Sequence, residues 1–353
     1  MSLIIEGGRI PPRWALEGNR RSVLKTRLTK QLSIAFINNM PDAALEDTEL
    51  QFFDLLDAAS GDVPVYLKLY SLNGIPRTDR GQRHLNNFYN SIDGLWQQRF
   101  DGVIVTGTEP RQPNLKDEPY WRLLTDVFDW AECNTASAVL SCLAAHAGVL
   151  HSDGIGRHRL PDKQFGVFES EKASNHPLMD LVPARVYCPH SRWNEVREDE
   201  LTSAGYIVLT KSADAGVDVF VKNKRESLFV HFQGHPEYSA QTLFKEYRRD
   251  VKRFLSCEQE TYPGMPAGYF DASAACILDE FRKSAIADRR REAMVLFPEQ
   301  AIVSALQNRW HSTAAGLYRN WLQFLLASQT KASMFRTMTT ASSNPEGKRL
   351  VLG

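Results

Sequence analysis

Four short apolar runs, each closed by a turn and three of them followed by a helical pattern, constrain this chain more than any other feature. "QLSIAFIN" (31–38) reads as a buried strand and "LEDTELQFFDLLDAAS" (45–60) as an amphipathic helix. "VPVYLKLY" (63–70) and "FDGVIVTG" (100–107) are further strands, and "EPYWRLLTDVFDWAE" (118–132) is a helix with apolar residues at helical spacing. "SAVLS" (137–141) is a fourth short strand. Short continuous apolar runs alternating with helices predict an α/β fold, a mostly parallel sheet with helices on both faces. In such sheets ligands collect at the carboxyl ends of the strands. The stretches ending at Asn38, Gly107, Ser141 and Gly234 place their following loops on one edge.

The second half is richer in strands. "ARVYCPHSRW", "YIVLTKS", "VDVFVK" and "SLFVHFQG" suggest a β-meander returning to the sheet, and "SAQTLFKEYRRDVKRFL" (239–255) a helix after it. Residues 1–30, polar and basic with two prolines, read as an irregular N-terminal arm, and 31–258 as the catalytic α/β domain. Residues 259–330 read as a helical segment packed on that domain, with helices at roughly 273–292 and 308–328. The Ser/Thr-rich residues 331–353 are expected to be disordered.

Composition narrows the function. The 353 residues are 43% hydrophobic and 24% charged with zero formal net charge, so no overall field favours nucleic acid or a membrane. The basic run "DRRREA" (288–293) reads as a solvated helix face. No apolar run is long enough to span a bilayer, and "MSLIIEGGRIPPRW" lacks the apolar core of a secretory signal. The five cysteines, Cys133, Cys142, Cys188, Cys257 and Cys276, are scattered and form no CxxC pair. That predicts a reducing, cytoplasmic setting without a disulfide framework or a zinc site; separately, no bound cofactor is expected.

One cysteine stands apart. In "AVLSCLAAHAG" (138–148) an apolar strand stops at Cys142 and a helix-forming stretch begins. A buried cysteine is usually a small hydrophobe, but a strand-to-helix turn exposes the sulfur and the helix N-terminus favours its thiolate. Such a nucleophile needs a base and a group to orient it. In "FVHFQGHPEYS", His235 and Glu237 follow a strand end and can form an imidazole–carboxylate pair, although the same residues also suit a plain surface turn. His146 shares a helical face with Cys142 but is expected to pack, as is His231 on its strand.

The elbow "LSCLAAHA" together with "GHPEY" resembles the flavodoxin-like, class I glutamine amidotransferase-like fold, and more closely the homoserine O-acyltransferase family of the transsuccinylase type. The likeness runs through "INNMP" (37–41), "TELQF" (48–52), "HLNNFYNSIDGLWQQRFDGVIVTG" (84–107), "YW" (120–121) and "FGVFES" (165–170). It continues in "PHSRWNEV" (189–196), "GHPEYSAQTL" (234–243), "EYRRDV" (246–251) and "RWHSTAAGLYRNWL" (309–322). It implies a two-step transfer in methionine biosynthesis. Cys142 takes an acyl group from succinyl-CoA or acetyl-CoA as a thioester and passes it to the homoserine hydroxyl. His235 is then the general base, Glu237 orients it, and backbone N–H groups at Leu143 and Gly107 hold the oxyanion. Arg192 matches the family arginine that pairs with the amino-acid carboxylate; Ser191 and Arg249 match substrate-site positions. The resemblance also implies a homodimer.

The departures from the family pattern are specific. Lysines that usually follow "MP" are replaced by "DAALED" and two extra residues, and Leu143 stands where tryptophan normally follows the cysteine. Four residues past Gly107, acetyl-CoA users tend to carry glutamate and succinyl-CoA users glycine; this chain has Arg111. An arginine there suits the free carboxylate of a succinyl group, which tilts the expectation towards succinyl-CoA. Three other readings remain open: serine or another hydroxy amino acid as acceptor, a glutamine amidotransferase-like hydrolase, and a non-catalytic metabolite-binding scaffold. Ser141 and Leu143 count against the hydrolase, whose nucleophile usually has glycine on both sides.

Overall fold

The computed structural model describes residues 3–6, 11–17 and 30–342, with side chains as far as 331. Its strands are β1 (Leu3–Ile5), β2 (Leu32–Ile37), β3 (Val65–Tyr70), β4 (Gly102–Val105) and β5 (Ser137–Ser141). The remaining strands are β6 (His158–Lys172), β7 (Arg185–Glu195), β8 (Ile207–Ser212), β9 (Gly216–Lys224) and β10 (Ser227–Phe232). They form one ten-stranded sheet in the order β1-β3-β2-β4-β5-β10-β9-β8-β6-β7. From β1 to β10 all neighbours are parallel; the pairs from β10 through β9, β8 and β6 to β7 are antiparallel.

Burial on both faces explains why β2, β4 and β5 read as continuous apolar runs. Along β2, Ile34 and Phe36 enter one core and Ala35 and Ile37 the other. The first core is covered by α2 (Asp42–Ser60) and α10 (His311–Ser342), through Phe52, Phe53, Tyr318 and Trp321. The second is covered by α4 (Trp121–Asn134) and α5 (Leu143–Asp153), through Val127, Phe128 and Ala144. At the antiparallel end, α7 (Thr242–Leu255) and α8 (Ala272–Ala287) share a third core containing Tyr247, Val251 and Leu278. Shorter helices are α1 (Pro12–Glu17), α3 (Asp79–Phe88), α6 (Glu198–Ser203) and α9 (Glu299–Val303). No helix among the described residues is long and apolar enough to cross a membrane.

Three expectations change. The N-terminal arm is not irregular throughout: Leu3–Ile5 pairs with β3, and Pro12 opens α1, where its missing N–H costs nothing. The expected tail at 331–353 begins as helix, since α10 runs to Ser342; residues 343–353 lie outside those described. Finally, β6 forms a long strand where only "FGVFES" had drawn notice; its polar start "HRLPDKQ" conceals it.

Topology positions the chemistry. Strand order reverses at β2, with β3 on one side and β4 on the other, which opens a crevice at their carboxyl ends. Asn39 closes the floor of that crevice: its N–H donates to Thr106 Oγ1 at 2.8 Å, and its Oδ1 accepts from Leu72 N–H at 3.1 Å. Next along the sheet, β10 lies parallel to β5 with Phe232 opposite Ser141. The residues that follow, Cys142 and Gln233, therefore leave adjacent strand ends in register.

Candidate active site

Cys142 occupies the turn between β5 and α5 with φ 54° and ψ −114°, a backbone region sparsely used by non-glycine residues. The turn is fastened on both sides. Cys142 N–H donates to Phe232 O at 2.8 Å, and Cys142 O accepts from Ala145 N–H at 3.0 Å, starting α5. The sulfur is partly exposed at the helix N-terminus, where the positive end of the backbone dipoles faces it.

His235 arrives from the end of β10. Its N–H donates to Pro189 O at 2.8 Å, and its ring stacks on Tyr238 with centroids 4.2 Å apart. Nδ1 lies 2.8 Å from Glu237 Oε1, so Nδ1 carries the proton and the other ring nitrogen is left for the Cys142 sulfur, which lies within electrostatic reach of the ring. Burial alone would depress the imidazole pKa, but the adjoining Cys142 sulfur and Glu237 carboxylate outweigh it and hold it well above the ordinary 6.5. The second Glu237 oxygen and the Tyr318 hydroxyl are both buried without a partner.

Gly107 closes against this elbow. A Cβ there would sit 2.9 Å from Leu143 N and 3.2 Å from Ser141 O, so only glycine lets the loop after β4 approach so closely. The N–H groups of Gly107 and Leu143 have no acceptor among the described residues. They are free donors beside the sulfur, the arrangement an oxyanion requires.

The other expected residues fall in different places. Ser191 Oγ donates to Glu246 Oε2 at 2.5 Å, and Tyr238 Oη donates to Glu246 Oε1 at 2.8 Å. Arg249 pairs with Asp250 at 3.0 Å and keeps its side chain 49% exposed. Lys163, absent from the sequence reading, joins this group 3.5 Å from Glu246 and 3.4 Å from Asp250. Its position two residues before "FGVFES" was the available signal. Arg192 is buried and most of its fork is committed. It donates from Nη1 to Asn194 O at 2.9 Å, from Nη2 to Ala215 O, and from Nε to His190 Nδ1 at 3.3 Å. Arg111 is exposed; its backbone N–H, with that of Gln112, is held by Glu118 Oε1 at 2.5 and 2.6 Å.

His146 and His231 do pack. His146 Nε2 lies 2.9 Å from Gln233 Oε1, and His231 stacks on Phe220 with centroids 4.7 Å apart. Burial pulls each pKa down to about 3, so neither can serve as a proton acceptor near neutrality.

Cys188, His190 and Asp218 also converge, one ligand atom of each lying within 4.8 Å of the others. Arg192 Nε donates to His190 Nδ1, so the neutral ring carries its proton on Nε2. A metal-bound histidine instead turns its other N–H towards an acceptor. The cluster is held by hydrogen bonds: the Cys188 thiol donates to Pro189 O at 3.6 Å, and Asp218 Oδ1 accepts from Gly234 N–H at 3.0 Å, just ahead of His235.

Comparison with known proteins places the chain. A family model described as homoserine O-succinyltransferase matches residues 19–332. A protein of that name from Rhodopseudomonas palustris is 43% identical over 308 residues, 87% of this chain and 92% of the relative. The Bradyrhizobium japonicum protein of that name is 40% identical over 334 residues, covering 92% and 99%. The Methylococcus capsulatus one is 38% identical over 297 residues, 83% of each. Among solved structures, a glutamine amidotransferase from Thermotoga maritima aligns over 84% of this chain and 98% of its own, at 14% identity and a TM-score of 0.45.

Proposed function

The chain belongs to the homoserine O-succinyltransferase family, and on that premise we propose that Cys142, His235 and Glu237 carry a succinyl group from succinyl-CoA to homoserine. The enzyme is an O-acyltransferase of methionine biosynthesis. The observation that supports the assignment of residues is the hydrogen-bonded His235–Glu237 pair set against Cys142 by two neighbouring strands that end in register.

The chemistry follows from the geometry. The Cys142 thiolate attacks the thioester carbonyl of the donor, and the N–H groups of Gly107 and Leu143 stabilise the oxygen as it gains charge. As the tetrahedral intermediate collapses, the carbon–sulfur bond to coenzyme A breaks and that sulfur takes the proton held by His235. His235 then removes the proton of the homoserine hydroxyl, whose oxygen attacks the acyl-cysteine. Cys142 leaves as thiolate, the imidazolium beside it is restored, and O-succinylhomoserine is released. Glu237 fixes the tautomer throughout, so the free nitrogen always faces the reacting atoms. Ser191, Lys163, Glu246 and Arg249 line one side of this line of groups and are assigned to the acceptor amino acid.

Intact-protein mass after mixing with succinyl-CoA and no acceptor tests the reading. Wild type is expected to gain one succinyl group and Cys142→Ala none, and homoserine should discharge the adduct. An adduct retained in Cys142→Ala would place the nucleophile elsewhere. An adduct formed from acetyl-CoA alone would reassign the donor, and discharge by serine alone the acceptor.

A further inference from the structure

Succinyl-CoA differs from acetyl-CoA by a carboxylate at the far end of the acyl chain, so an enzyme that prefers it needs a cation near the nucleophile. Arg111 is the candidate read from the sequence, but its side chain is exposed and forms no ion pair among the described residues. Arg157 is placed differently. It lies in the loop between α5 and β6 and is half-buried, with no hydrogen bond or ion pair among the described residues. Glu118, the carboxylate nearest it in kind, is not within ion-pairing distance and has one oxygen committed to the loop at Arg111 and Gln112.

Tyr120 supplies the second observation. Its side chain is 4% exposed, and its hydroxyl is buried without a partner. Arg157 lies within electrostatic reach of Tyr120, Glu118 and Cys142, and burial lowers its own pKa. A half-buried guanidinium with no partner among the described residues, within electrostatic reach of an unpartnered buried hydroxyl, suits an incoming anion. Its planar fork matches a carboxylate, and reduced solvent screening makes the pairing stronger than at an exposed arginine.

We infer that Arg157, with the Tyr120 hydroxyl, recognises the terminal carboxylate of the succinyl donor and so sets donor choice, Arg111 being left at the mouth. The assignment rests on Cys142 as the acyl acceptor. It deepens that reading by naming what holds the far end of the acyl chain. Arg249 and Lys163 lie with Ser191 and Glu246, a separate group, so acceptor and donor carboxylates need not compete for one cation.

The test uses three donors on the full chain: succinyl-CoA, butyryl-CoA, which keeps the chain length without the carboxylate, and acetyl-CoA. The readout is the ratio of kcat/KM for succinyl-CoA to that for butyryl-CoA. Arg157→Gln is expected to lower this ratio by about 30-fold or more, as losing one partner of a shielded charge pair does. Tyr120→Phe should lower it less, and Arg157→Lys should restore part of it, which guards against a variant that is merely misfolded. An unchanged ratio in Arg157→Gln, or a selective loss in Arg111→Ala alone, overturns the inference and leaves the Cys142 reading standing. Absence of any acyl adduct in wild type removes both.

Discussion

Cys142 and His235 each hold a state that their own residue type resists, and each is held there by a neighbour. The positive φ at Cys142 is kept by hydrogen bonds to β10 and to the first turn of α5. The raised pKa of His235 is kept by charge against burial. Removing the sulfur should let burial prevail. In Cys142→Ala the imidazole titration, followed by NMR, is expected to move to lower pH; an unmoved midpoint would mean the two groups do not interact. The sign for stability follows from the raised value. Protonated His235 stabilises the fold fully below its ordinary 6.5, and that contribution is lost as pH rises through the folded-state value. Both residues were legible from their positions at strand ends. The commitment of Arg192 to backbone carbonyls was not, because nothing in "HSRW" says which way a guanidinium turns.

Secondary structure was legible where one face or both are steadily apolar. The helix expected at 239–255 is Thr242–Leu255, and the one expected at 118–132 is Trp121–Asn134. β6 escaped because a strand bordering solvent and carrying Pro161 has no apolar run at its start, and Leu3–Ile5 because three residues define no period. The docking of α10 could not be read either, since it depends on a contact between distant residues. Trp321 lies over Gly102, with Nε1 donating to Ser137 Oγ at 2.9 Å. A Cβ at Gly102 would stand 2.8 Å from the Trp321 ring and 2.9 Å from Leu325 Cδ1. Gly102→Ala is therefore expected to push α10 off the sheet and destabilise the protein by about 1–3 kcal/mol. Urea unfolding would show it, and a midpoint equal to wild type would mean the helix yields freely.

Among the described residues three histidines, His146, His190 and His231, are buried and neutral, and this sets the response of the molecule to acid. His146 and His231 hold pKa values of about 3 through burial, whereas the unfolded chain binds a proton at each near 6.5. Their folded values are depressed, so stability falls as pH drops from about 6.5 towards 3, with a slope of about 1.4 kcal/mol per pH unit for each group. His231→Phe keeps the ring stacked on Phe220 and removes the titration. Its unfolding free energy should therefore fall less steeply with acid than that of wild type. An identical slope would mean that His231 is protonated within the fold.

By itself the sequence determined that the chain builds a sheet buried on both faces, with chemistry at its strand ends, because burial fixes hydrophobic period and turns punctuate it locally. It also determined the candidates Cys142, His235 and Glu237, since a nucleophile, a base and an orienting carboxylate are recognisable by type. Only the tertiary structure decided that β5 and β10 lie side by side in register, which brings residues 142 and 235 together. It alone separated the paired arginines Arg192 and Arg249 from Arg157, which has no partner among the described residues. Whether a charge finds a partner depends on what distant segments bring to it, and no local pattern records that.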